Sequence, residues 1–166
     1  MAQMVKITTF GIDDFIAQLQ KIENDTDPIL REVMKDGVNE VADVMKAQLR
    51  GLKTVDDKTR KKTLKKGRRY ATHGEKEGLI ESMGYTHTDL RESVYNAKVG
   101  FDGYNKTKTK KYPKGQPNPM IANFIDRGTS YMIPQPFISR TKSQSKAKAL
   151  EKMQKRLDEE IQQRTK

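Results

Sequence analysis

An Asp-Pro step followed by a long helical stripe constrains this chain's fold more than any other feature. Asp27 can accept hydrogen bonds from the free amides of a first helical turn. Pro28, at the first helical position, has no amide to leave unpaired. Behind them Leu30, Val33, Met34, Gly37, Val38, Val41, Met45 and Leu49 recur at helical spacing. A helix running from here to about Arg50 is roughly 34 Å long at 1.5 Å per residue. Gly37 costs about 1 kcal/mol against alanine inside it, which marks a close crossing or a bend.

Shorter signals flank that helix. Val5, Ile7 and Thr9 alternate with Lys6 and Thr8, a strand pattern that Gly11 interrupts. Asp13 offers a cap to a first helix carrying Phe15, Ile16, Leu19 and Ile22 on one face. Thr88 or Asp89 can cap a short turn at Leu90–Ser93. Tyr95, Ala97, Val99 and Phe101 then alternate with Asn96, Lys98 and Gly100 as a half-buried strand. Ile121, Ala122, Phe124 and Ile125 suit a short helix with Gly128 as its left-handed cap. Pro136 opens a last helix with Leu150, Met153, Leu157 and Ile161 on a narrow face. No internal repeat is visible.

The 166 residues suit one domain spanning 1–166. A chain of that length buries about two thirds of its unfolded surface, so neither disulfide nor metal is required for stability. Its hydrophobic fraction of 34% and charged fraction of 33% fit a small core with extended polar arms. With no cysteine, a disulfide framework and thiolate metal sites are excluded. Met1–Phe10 lacks a basic start followed by a long apolar run, and no apolar run approaches the roughly 20 residues of a membrane helix. A soluble protein with no membrane partner is expected.

The net charge of +11 is concentrated in two stretches. "KTVDDKTRKKTLKKGRRY", from Lys53 to Tyr70, sets nine basic residues against Asp56 and Asp57. "NKTKTKKYPKGQPNP" carries five lysines, three prolines and no acid. Self-repelling runs with so few apolar positions predict flexible basic insertions, at 53–76 and 104–117. Lys61, Lys62, Lys65, Lys66, Arg68 and Arg69 in the first, with Lys108, Lys110 and Lys111 in the second, would meet an acidic partner or DNA. Tyr70, Tyr104 and Tyr112 are interleaved for stacking on bases. No zinc-finger, helix-turn-helix or ribonucleoprotein signature accompanies them, so sequence-specific readout is not expected.

Chemistry is sparse. His73 and His87 are the only histidines and neither stands in a metal-ligand spacing. Asp56-Asp57 and Glu159-Glu160 are sequence neighbours, which point apart on a helix and make no convergent acid–base pair. "GRRYATHG" lacks the lysine-serine ending of a phosphate loop, and no serine sits in a nucleophile elbow. No cofactor and no enzyme activity are expected.

Against that background "FIDRGTSYMIPQPFISR", 124–140, is apolar and aromatic with two prolines. With "TDLRESV" at 88–94, "IANFIDRGTS" at 121–130 and "PQPFISR" at 134–140, the chain resembles the tail-completion, or neck, family of long-tailed bacteriophages. These are head–tail joining minor tail proteins. The likeness in motif order covers 12–163. Thr88-Asp89-Leu90 lacks the family's usual glycine, and Asp126-Arg127 replaces its glutamate and aromatic. The resemblance implies an α+β domain with a small antiparallel sheet packed against a long N-terminal helix, a C-terminal helix and flexible basic loops. It implies a non-enzymatic virion subunit, made in the host cytoplasm, that forms a ring at the top of the tail. Its neighbours would be copies of itself, tail terminator or tail tube, head connector, and DNA in the channel. Leu90, Arg91, Ser93, Phe124, Asp126, Gly128, Thr129, Pro136 and Phe137 become the motif residues of assembly and structure. In this reading Gly128 permits a turn, Thr129 bonds the next segment, and Pro134 and Pro136 stiffen the corner. Phe124 and Phe137 are expected in the protomer core, as large aromatics usually are. The alternative is an accessory protein that binds nucleic acid nonspecifically through its basic arms.

Overall fold

The stripe behind Asp27-Pro28 is a helix, α1, running Thr26–Arg50. Ile29, Leu30, Val33, Met34, Val38, Val41, Met45 and Leu49 are all buried along it. The computed structural model describes residues 5–7, 26–59, 67–86, 89–91, 94–106, 108 and 110–164. The helix expected from Asp13 lies outside these residues.

The cover over α1 is the last helix, α4, Phe137–Arg164. It turns Phe137, Thr141, Ser145, Ala149, Met153 and Leu157 inward, one residue in every four. Such a row forms a ridge that seats in a groove of the facing helix. Three of its members are small, which lets the backbones come close. The Thr141 hydroxyl donates to the Phe137 carbonyl 2.8 Å away, so its burial strands no polar group. Gly37 marks the close crossing expected of it, because a methyl there would lie 2.5 Å from Met153 Sδ. Of the apolar set expected on α4, Met153 and Leu157 are buried and Ile161 partly so. Leu150 is instead exposed, since the inward row passes through Ala149. Ion pairs border the crossing: Lys152 with Glu40, and Arg156 with Glu160 and Glu32. The cations of these pairs reach solvent, so screening keeps their contribution small.

The other layer is a four-stranded antiparallel sheet. Strands β1, Val5–Ile7, and β4, Met83–Tyr85, both pair with the central strand β6, Val94–Phe101. Val5 stands opposite Val99 on one side, and Tyr85 opposite Val99 on the other. The alternation read from the sequence holds, with Ala97, Val99 and Phe101 buried. β5, Asp89–Arg91, pairs with the start of β6, Leu90 opposite Tyr95. The turn expected at Leu90–Ser93 is therefore strand as far as Arg91, because β6 offers its backbone a partner. A second sheet joins β2, Thr54–Val55, and β3, Ala71–Thr72, in parallel. Two short helices, α2, His73–Ser82, and α3, Asn118–Arg127, complete an α+β fold. Among the described residues no helix is long and apolar enough to cross a membrane.

Sheet and helix are tied where Tyr95 donates its hydroxyl proton to Asp27, in the first turn of α1. Burial, then that hydrogen bond and the Asp27 charge, push the Tyr95 hydroxyl up to about 12. A folded value above the ordinary 10.0 means this group's contribution is whole below pH 10 and is lost as pH rises toward 12. In an absorbance titration one of the six tyrosines should ionise near pH 12, and Tyr95→Phe should remove that late step. A wild-type titration complete by pH 11 would contradict the contact.

Candidate assembly surfaces

The stretch 124–140 is a corner between α3 and α4. α3 ends at Gly128, whose φ of 77° lies in the left-handed region and whose amide donates to the Phe124 carbonyl. A methyl at Gly128 would sit 3.0 Å from both the Met132 carbonyl oxygen and Pro134. The Thr129 hydroxyl accepts from the Met132 amide at 3.0 Å, which shapes the turn as expected. Asp126 has a more specific part. Its Oδ1 accepts from the Ile138 amide at 2.8 Å, so the end of one helix caps the start of the next. A cap of this kind contributes about 1 kcal/mol. Pro136 directly precedes α4, and Phe137 is 1% exposed with its ring edge-on to Phe101, 6.1 Å between centroids. Phe124 is half-buried against the same core.

Gln135 locks this corner to the rest of the molecule. Its side-chain amide donates to the Lys53 carbonyl at 3.0 Å and accepts from the Lys53 amide at 2.8 Å. Its own backbone amide donates to the Ile125 carbonyl. A few residues upstream, the Arg69 amide donates to the Tyr131 carbonyl, and the Ile133 amide donates to the Arg69 carbonyl. Lys53 and Arg69, the two ends of the first basic stretch, are thus both clasped by the corner.

This corrects the reading of 53–76 as one mobile insertion. Arg69, Ala71, Thr72 and Glu75 are buried, and Thr54–Val55 and Ala71–Thr72 pair as strands. Arg69 is not a free arm cation. Its guanidinium makes two parallel 2.9 Å hydrogen bonds to the Glu75 carboxylate, with both side chains under 5% exposed. Glu75 also accepts from the Thr72 amide while Thr72 Oγ1 accepts from the Glu75 amide, the reciprocal capping box that starts α2. Asp57 reinforces the same helix start by accepting from the Gly74 amide. Gly74 and Gly78 stand one turn apart within this capped helix. Arg68 is exposed as expected. Lys61, Lys62, Lys65 and Lys66 lie outside the described residues.

The second basic stretch, 104–117, is also closed at its base. The Asn105 amide donates to the Gln116 carbonyl, and the Gln116 amide donates to Asn105 Oδ1, both at 2.9 Å. Gly115 has a φ of 109°, and a methyl there would overlap the Asn105 carbonyl oxygen. The lysines ride above this neck: Lys108, Lys110 and Lys111 are exposed, with Lys111 Nζ 5.7 Å from the Tyr112 ring centre. Leu90 and Arg91 fall on β5, and the side chains of both, with all of Ser93, lie outside what is described.

Gln135, Thr72 and Glu75 were not singled out by sequence reasoning. The Thr-x-x-Glu spacing at 72–75 is a recognisable capping-box signature. Gln135 carries no local signal, because its partner is 82 residues away. Compared with known proteins, the chain matches no family model, no curated protein and no solved structure.

Proposed function

We propose that this protein is a phage virion subunit of the tail-completion type, a non-enzymatic neck protein that assembles in a ring and joins tail to head connector. The observation that supports the reading is the clasp at 124–140. The motif residues of the resemblance that fall in this corner hold the backbone: Gly128 turns it, Thr129 and Asp126 cap it, and Phe137 anchors it. The same corner fixes both ends of the first basic stretch through Lys53 and Arg69. A protomer of a ring needs two unlike faces held in fixed relation, so that each rotation closes on the next copy. A rigid corner that holds Lys53 and Arg69 together supplies such a relation.

The test is electron microscopy of particles assembled without the protein. Finished tails and filled heads that fail to join support the reading, and normally joined particles overturn it. A second reading, nonspecific nucleic-acid binding, draws on the exposed lysines 108, 110, 111 and 114, which pair with no carboxylate among the described residues. It requires DNA affinity that falls steeply with salt, with a slope set by the phosphates contacted.

A further inference from the structure

Beside the base of the second basic stretch lies a concavity of about 640 Å³ with the opposite sign of charge. Its wall carries Asp57, Glu77, Glu81 and Asp102, all exposed, and its rim carries the 60% exposed ring of Tyr104. Lys106 is the one basic residue among the described residues that line it. Glu77 and Glu81 stand one turn apart on α2, where like charges repel, and neither forms an ion pair among the described residues.

Asn118 adds a second kind of signal. It is 3% exposed, lines the same concavity, and its Nδ2 donates to the Asp102 carbonyl at 2.8 Å. Its Oδ1 has no hydrogen-bond partner among the described residues. An uncompensated carbonyl dipole at the floor deepens the negative potential of the carboxylates above it. Among the described residues no three acidic or histidine side chains are close enough together to hold a metal ion. The cation that fits is therefore a spread one, several ammonium groups carried on one polypeptide. Tyr104 offers an aromatic face to one of them.

We propose that this acidic concavity receives the lysine loop of a second copy of the chain, through Lys108, Lys110, Lys111 and Lys114. These side chains are exposed and have no carboxylate partner among the described residues. The closed Asn105–Gln116 neck holds the loop on a fixed base. With a net charge of +11, two copies repel in most orientations and attract where a lysine loop meets this concavity. The choice of a copy as occupant rests on the ring reading above; the concavity's preference for a polycation does not.

Charge exchange in the full chain tests it, read by sedimentation and cross-linking from low to high salt. Wild type should associate in a salt-sensitive way. Glu77→Lys with Glu81→Lys should weaken that association at least about tenfold, and so should Lys110→Glu with Lys111→Glu. Mixing the two variants should restore it. Lys142→Glu with Lys146→Glu, exposed on α4 and equal in charge change to the loop variant, should leave it intact. Unchanged thermal melts show that each variant is folded. Wild type that stays monomeric at every salt overturns the proposal. So does an acidic-wall variant that associates normally, or a loss seen with the wall but not with the lysines. Association through this surface in a protein that joins no tails to heads would instead sink the neck reading and leave the contact standing.

Discussion

Replacing Glu75 by alanine is expected to lower the protein's stability by about 3–5 kcal/mol, the cost of stranding one partner of a buried ion pair. Arg69 and Glu75 are 4% and 3% exposed in their side chains, so water cannot replace the missing carboxylate. Glu75 also closes the cap of α2, which contributes about another 1 kcal/mol. Arg69→Met alone should be nearly as damaging, because it leaves a buried carboxylate without its guanidinium counter-charge. The double variant Arg69→Met with Glu75→Leu should recover most of the loss, since apolar replacement of both partners removes the stranded charge. What it does not recover is the cap. Urea melts of the three variants decide the matter, and a Glu75→Ala loss under 1 kcal/mol would mean the pair is reached by solvent.

Phe137→Ala is expected to cost about 3–5 kcal/mol by leaving a cavity at the first turn of α4. The ring is 1% exposed and packs edge-on against Phe101, so the change empties the junction of sheet and last helix. Phe137→Leu, which keeps most of the volume, should cost under about 1.5 kcal/mol. Thermal unfolding of both variants gives the comparison. An alanine variant that melts with wild type would place Phe137 outside the folding core, and its role would then have to lie in a contact with another chain.

These two expectations sit on opposite sides of what the sequence disclosed. Phe137 was expected in the core from its aromatic character and its place in a proline-stiffened corner. Arg69 was expected on an exposed arm, because it belongs to a self-repelling basic run with few apolar positions. Local composition was a fair guide at Arg68, which is exposed, and misleading one residue later. The difference is a carboxylate six residues on that happens to be buried with it. Neither charge count nor hydropathy carries that information. The Thr72–Glu75 spacing did carry the start of α2.

The sequence by itself determined the elements whose signals are periodic and local. α1, the central strand β6 and the Gly128 stop of α3 follow from the spacing of apolar residues and from backbone permissiveness, which neighbours in the chain decide. The Gly37 crossing was legible as a crossing but not as a contact with Met153, 116 positions later by residue number (153 minus 37). The tertiary structure alone decided the clasp of Gln135 on Lys53, the Asp126 cap on α4 and the placing of an acidic concavity near a lysine loop. Each depends on groups brought together across the fold, where a hydrogen bond or a field acts over a few ångströms of space and has no counterpart in sequence distance.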